Sequence, residues 1–239
     1  MRPLTVSLFI FLTMHATAGS SYAQSQEAAL HYLVREPKIK TSKPPLIILM
    51  HGIGSNEKDL FSFADKLPAK FIVVSARGPY MLGPDSYAWY HADFSKAEPV
   101  INAAEAEKSR VAIIEFIAQL KQKYDFDETQ VYLCGFSQGA IMAYSVGLTR
   151  PDKIKGIAVL SGRIQDEVKP LIKKSKTLQR LDVFITHGTQ DKILNIHFAR
   201  ESNAYLSQLG IHATYKEYND GHTINNEMFN DLLNWFGKK

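Results

Sequence analysis

Short unbroken apolar runs recur along this chain, at residues 46–50, 71–75, 131–135, 156–161 and 183–187, with 213–218 a further candidate. A strand with one wet face alternates apolar and polar residues, whereas a continuous run signals a strand covered on both faces. Between the runs lie helix patterns. The one at residues 59–67 is short. The one at 103–124 is long, with Ala106, Ile113, Ile117, Leu120 and Tyr124 stepping along one face. Residues 139–148 are apolar nearly all round, which predicts a buried helix. A pattern at 194–209 stops at Gly210, and Phe229, Leu232, Leu233 and Phe236 mark a final amphipathic helix. Strand and helix in alternation predict an α/β domain, a mostly parallel central sheet with helices on both faces. Residues 31–35 are expected to add an antiparallel edge strand. In such sheets ligands meet the carboxyl ends of the strands, so the loops leaving the runs are where chemistry is expected.

The first residues fall outside this pattern. Arg2 precedes an apolar run at 4–14, shorter than the about 20 residues a membrane-spanning helix needs. Small residues follow: Ala16, Ala18, Gly19, Ser20, Ser21 and Ala23. This is the make-up of an export signal, with cleavage expected after Ala23 or, as a second option, after Ala18. We therefore expect residues 1–23 to be a signal peptide, the alternative being an uncleaved anchor, and 24–239 to be a single domain that is periplasmic or secreted. No later apolar stretch is long enough for a membrane span. The single cysteine, Cys134, excludes an intrachain disulfide and, inside an apolar run, reads as a packing residue. The domain must then rest on its core alone, which its length permits. A formal net charge of +4 is too small to argue for nucleic acid. The basic stretch Lys169, Lys173, Lys174, Lys176 and Arg180 reads as a solvated face.

Gly135-Phe136-Ser137-Gln138-Gly139 has the form G-x-S-x-G. From composition alone this pattern arises in about one chain in ten of this length. Its setting is more telling, because an apolar run leads into it and a helix pattern leads out. A strand-to-helix turn this tight forces the serine into a strained conformation. Glycines on either side let strand and helix pack closely, and the helix N-terminus favours negative charge nearby. Ser137 is the expected nucleophile, and the alternative is a helix-capping serine.

A serine hydroxyl needs a base to take its proton. Of eight histidines, His222 lies in a polar loop directly after the last strand pattern and before the final helix, where a base can swing over the turn. His187 ends a strand and is followed by Gly188, so a structural role is expected; His197 and His212 are expected at the surface. The base needs an acid to fix its tautomer and stabilise its charged form. Asp191 lies just past a strand end. Asp182 begins the same strand, at the wrong edge of the sheet, Asp220 is too close to His222 to point back at it, and Asp166 is a weaker competitor. Acyl transfer also needs donors for a developing oxyanion. The backbone N–H of Gln138 is one candidate. The other is that of Ile53 in His51-Gly52-Ile53-Gly54, where glycines let the main chain approach a ligand.

With His51-Gly52-Ile53-Gly54, Arg77-Gly78-Pro79, Ala88-Trp89-Tyr90, the G-x-S-x-G turn, His187-Gly188-Thr189-Gln190-Asp191 and Gly221-His222 in this order, the chain resembles the carboxylesterase/phospholipase family of α/β-hydrolases from about residue 46 to 236. That family includes bacterial esterases and acyl-protein thioesterases. The resemblance implies the α/β-hydrolase fold, hydrolysis of short to medium acyl esters with lysophospholipids or thioesters as alternatives, and no metal or other cofactor. It also implies that Trp89 and its neighbours line the acyl site, whose shape is expected to be set by Ile53, Trp89, Phe94 and the segment after Ser161. Many relatives are cytosolic; the export signal here favours a small extracellular ester over an acyl-protein. Monomer and homodimer are both compatible with the sequence.

Other chemistries fit less well. Ser55-Asn56-Glu57-Lys58 matches S-x-x-K, but the partner motifs S-D-N and K-T-G are absent. No H-E-x-x-H or cysteine–histidine ligand spacing suggests a metal hydrolase. An amidase on the same three residues is chemically open. A non-catalytic binding protein on the same fold usually lacks one of them.

Overall fold

A computed structural model of the protein describes residues 29–93, 95 and 100–239. The expected signal peptide lies outside the described residues. Among them, seven strands form the central sheet in the order β1-β3-β2-β8-β9-β10-β11. They are β1 (Tyr32–Arg35), β2 (Leu46–Met50), β3 (Ile72–Ala76), β8 (Val131–Phe136), β9 (Gly156–Leu160), β10 (Asp182–Gly188) and β11 (Thr214–Tyr218). All neighbours are parallel except β1, which pairs antiparallel with β3 at the edge. Two small ribbons lie outside the sheet: β4 (Tyr80–Gly83) with β5 (Ser86–Ala88), and β6 (Ala92–Asp93) with β7 (Val100–Ile101).

The unbroken apolar runs follow from helices on both faces. In β2, Leu46, Ile48 and Met50 face one core, and Ile47 and Leu49 face the other. The first core is covered by α2 (Ala103–Lys123), α3 (Gln138–Thr149) and α4 (Ile196–Gln208). The second is covered by α1 (Lys58–Phe61) and α5 (Asn226–Gly237), with Phe71, Tyr132, Phe184, Trp235 and Phe236 at its centre. Cys134 is buried there, where desolvation pushes its thiol up to about 12, so it stays protonated. Nearly every residue of α3 is buried, as its composition demands.

The expected helix at 59–67 is only partly formed. Leu60, Ala64 and Leu67 do share a buried face. Beyond Phe61, however, the main chain bonds mostly to carbonyls three residues back, and the Ser62 hydroxyl takes the Asp59 carbonyl at 2.7 Å. Between β9 and β10 the chain makes two short 3-10 turns, Lys169–Leu171 and Leu178–Arg180. The basic side chains of this stretch are exposed.

One feature of the topology places the site. After β2 the chain moves to β3 on one side, then returns to β8 on the other. The carboxyl ends of β2 and β8 thus flank the point where strand order reverses, the usual ligand crevice of an open α/β sheet.

Candidate active site

The turn leaving β8 puts Ser137 at φ 52°, ψ −115°, strained for a residue with a β-carbon. Two glycines allow it. A β-carbon on Gly135 would lie 2.2 Å from the carbonyl oxygen of Gly139, and one on Gly139 would lie 2.1 Å from that of Met50. Strand, helix and the neighbouring β2 therefore meet backbone to backbone, and the serine is lifted clear at the head of α3.

His222 reaches this serine from the loop between β11 and α5. Its Nε2 lies 2.9 Å from Ser137 Oγ, and its Nδ1 2.6 Å from Asp191 Oδ2. A carboxylate only accepts, so the imidazole proton sits on Nδ1 and Nε2 is left to accept from the serine. Asp191 is buried at the end of β10. Burial alone would raise its pKa. Hydrogen bonds from His187, His222 and the Leu194 N–H outweigh that and hold the carboxyl well below the usual carboxylate range. The Ile193 and Leu194 amides donate to its other oxygen at 2.9 and 2.8 Å.

His187 fits the structural role expected of it. Fully buried, it has Nε2 2.6 Å from the Leu194 carbonyl and 3.2 Å from Asp191 Oδ2, so that nitrogen carries the proton. It braces the same carboxylate oxygen, Oδ2, that His222 meets. His197 and His212 are exposed.

The loop after β2 supplies the facing wall. His51 is fully buried; its Nε2 accepts the Gly78 N–H at 2.9 Å, which leaves the proton on Nδ1 to donate to Gly52 O at 2.7 Å. Burial lowers its pKa and keeps the ring neutral. The Ile53 N–H has no hydrogen bond among the described residues. Gln138 is the first residue of α3, so its N–H has no intrahelical acceptor. Ser55 and Lys58, of the S-x-x-K match, are engaged elsewhere: Ser55 Oγ donates to Asp59 and Lys58 Nζ to Asp85.

A small, mostly apolar pocket of about 50 Å³ opens beside Ser137. Ile53, Tyr90, Ile101, Ile141, Ile193 and Leu194 form its walls, with Gln138 and Arg163 at its edge. Trp89, expected to line the acyl site, does not. Its side chain is fully buried, its indole N–H donates to His51 O at 3.0 Å, and its main chain is pinned by Gln138 and Ser109. Its neighbour Tyr90 takes the wall. The reason is the Gln138 side chain, which accepts from Trp89 N–H and donates to Tyr90 O at 2.7 Å each, fixing which of the two faces inward. Phe94 lies outside the described residues. Ile141, Ile193 and Leu194 carried no sequence signal of their own; only their positions next to Ser137 and Asp191 hint at a wall.

The profile of the phospholipase/carboxylesterase family matches residues 31–238. The chain belongs to that family. A probable SOBER1-like carboxylesterase of Arabidopsis thaliana is 30% identical over 206 residues, covering 81% of this chain and 78% of the relative. Acyl-protein thioesterase 1 of Yarrowia lipolytica is 25% identical over 215 residues, 82% of this chain and 92% of the relative. Among solved structures, esterase PE8 superposes with a TM-score of 0.77 at 25% identity, covering 87% of this chain and 98% of its own. The Bacillus cereus carboxylesterase, at 23% identity and TM-score 0.76 over 88% of this chain and 95% of its own, shares the fold. This phospholipase/carboxylesterase-family chain is an α/β-hydrolase that cleaves carboxylic esters as a serine hydrolase. Among the described residues no helix is long and apolar enough to cross a membrane, and no cluster of three or more His, Cys, Asp or Glu side chains forms a metal-ligand set.

Proposed function

We propose that Ser137, His222 and Asp191 are the catalytic triad of this hydrolase, acting on small carboxylic esters with short acyl chains through an acyl-enzyme. The observation that carries the reading is the pair of contacts on His222, 2.9 Å to the serine hydroxyl and 2.6 Å to the aspartate. His222 takes the Ser137 proton as Oγ attacks the ester carbonyl. The Ile53 and Gln138 amides receive the oxyanion, and Asp191 stabilises the imidazolium. His222 then gives its proton to the leaving alcohol. Water, activated by the same nitrogen, hydrolyses the acyl-enzyme.

The pocket sets the acyl length. A water-sized group needs about 10–15 Å³ of such space, so this pocket takes about four heavy atoms of an acyl tail. The names of the thioesterase relatives favour a second reading, an acyl thioester cleaved by the same steps. The leader-like pattern of residues 1–23 supports export and, with it, a small extracellular ester over an acylated protein.

A fluorophosphonate probe and a panel of p-nitrophenyl esters of rising chain length test the proposal, with an acyl thioester and a lysophospholipid alongside. We expect labelling of Ser137, an optimum at short acyl chains, and loss of both labelling and turnover in folded Ser137→Ala. Undiminished turnover by that variant would remove Ser137 from the chemistry. A fold that binds esters without cleaving them would give neither label nor turnover.

A further inference from the structure

An arginine that pairs with no carboxylate among the described residues lines the pocket beside Ser137. Arg163 lies at the edge of the pocket that holds Ser137 and also in the wall of an adjoining cleft of about 420 Å³, with Phe198, Ser202 and Tyr205. Its position is tightly determined. Ser161 leaves β9 at φ 52°, and a β-carbon on Gly162 would lie 2.6 Å from the Ala140 β-carbon, so the chain runs hard against α3. On the other side the Ile164 N–H donates to Ser202 Oγ of α4 at 3.0 Å. The guanidinium sits 4.7 Å from the centre of the Phe198 ring.

The other arginines show how this chain usually treats the group. Arg77, Arg110, Arg150 and Arg200 each hold a carboxylate, and Arg35 is bonded by carbonyls. Arg180 is exposed to water. Among the described residues Arg163 alone has a buried nitrogen, Nε, without a hydrogen-bond partner, and no carboxylate pairs with it. Of the acids around the cleft, Asp166 is held by Lys169, and Glu167 and Glu201 are exposed. Tyr90, in the same pocket wall, accepts from Gln165 Nε2 at 2.9 Å. Burial raises its phenol far above the usual range against the pull of Arg163, so it keeps its proton as a second donor. With Nε sealed from water and no carboxylate beside it among the described residues, the half-buried guanidinium has donors to spare, and its planar fork suits a carboxylate or phosphate.

We propose that Arg163 recognises an anionic group, a carboxylate or a phosphate, carried by the ester substrate, so that the preferred substrates are anionic esters with a short acyl chain. This rests on the catalytic reading above. The anion reaches Arg163 from the acyl pocket if it ends the acyl chain, and from the larger cleft if it belongs to the alcohol.

Matched pairs separate the two sources. The acyl arm compares mono-p-nitrophenyl succinate with p-nitrophenyl butyrate. The alcohol arm compares 4-acetoxybenzoate with phenyl acetate, and 1-butyrylglycerol 3-phosphate with 1-butyrylglycerol. Each anionic-to-neutral ratio of kcat/KM is measured for the native protein, Arg163→Met and Arg163→Lys. In one arm Arg163→Met should lower the ratio about ten- to hundredfold, the span of one charge-assisted hydrogen-bonded contact. Arg163→Lys should restore part of it, and added salt should lower it in the native protein. Where Arg163→Met does not fold, Arg163→Gln is read in its place. An unchanged ratio in every arm, with Ser137 still labelled by fluorophosphonate, overturns the anion site alone. Absence of labelling and of all turnover overturns the catalytic reading, and the anion site with it.

Discussion

The His51 ring donates from Nδ1 to the carbonyl of its own neighbour, Gly52, at 2.7 Å. Since the 52–53 peptide is trans, fixing that carbonyl fixes the opposite direction of the Ile53 N–H. A buried imidazole thereby aims one of the two proposed oxyanion donors. Replacing it with His51→Asn should loosen the donor and leave the Gly78 N–H without its acceptor. Outright removal of an oxyanion donor costs about 10²–10³ in kcat, so misaiming one should cost about ten- to hundredfold, with KM little changed. Steady-state kinetics on the folded variant check this; an equal loss confined to KM would count against it.

Asp191 Oδ2 accepts from both His222 and His187. Asp191→Asn places an amide where a carboxylate is needed. The imidazole proton then has no anion to hold it on Nδ1, and Nε2 no longer accepts from Ser137. We expect kcat to fall about 10⁴-fold with the fold retained, measured by ester turnover and circular dichroism.

The pocket walls give a paired test. Ile141→Ala should lengthen the preferred acyl chain by about two or three carbons, since the substitution vacates the room of roughly three. Trp89→Phe should leave that optimum in place, because the indole is buried, bonds to His51 O and is not part of the pocket wall. Its effect should appear as stability instead, a loss of about 1 kcal/mol for the missing hydrogen bond. A chain-length panel and a thermal melt separate the two variants.

Glu57 and Arg77 form a bidentate ion pair at 2.6 and 2.7 Å, tying the loop after β2 to the loop after β3. Arg77 pulls the buried Glu57 carboxyl from 4.5 to about 2. Its pKa is lower in the folded state than in the unfolded one, so it stabilises the fold fully above about pH 4.5 and loses that effect as pH falls toward 2. The contribution at neutral pH is about 2–3 kcal/mol. Urea titrations should show Glu57→Gln destabilised by about this amount at pH 7, with the difference from the native protein shrinking as pH falls from 4.5 to 2. A difference that stays constant with pH would mean the carboxylate charge is not what stabilises the loop.

The sheet was legible because each of its central strands is buried on two faces, and that condition writes itself into unbroken apolar runs such as 46–50 and 131–135. The edge strand β1 could be placed as antiparallel for the complementary reason that it precedes the alternation. Helix α1 is shorter than the helical spacing of Leu60, Ala64 and Leu67 predicts, because beyond Phe61 the main chain bonds mostly to carbonyls three residues back. Periodicity records which face is buried and is silent about which backbone bonds hold it there.

The three side chains of the proposed triad could be singled out in the primary structure because each lies within a few residues of a strand's carboxyl end, and parallel strands deliver those ends to one rim. The pocket was not readable, because it is decided by contacts between residues distant along the chain. Gln138 chooses Tyr90 over Trp89 through bonds spanning 48 and 49 residues. Arg163 comes to line the pocket beside Ser137 where Gly162 packs against Ala140. Local residue order thus determined the architecture and the chemistry, through burial pattern and strand-end position. Tertiary packing alone decided the room and the charge a substrate meets, since both depend on which side chains from separate elements close around one cavity.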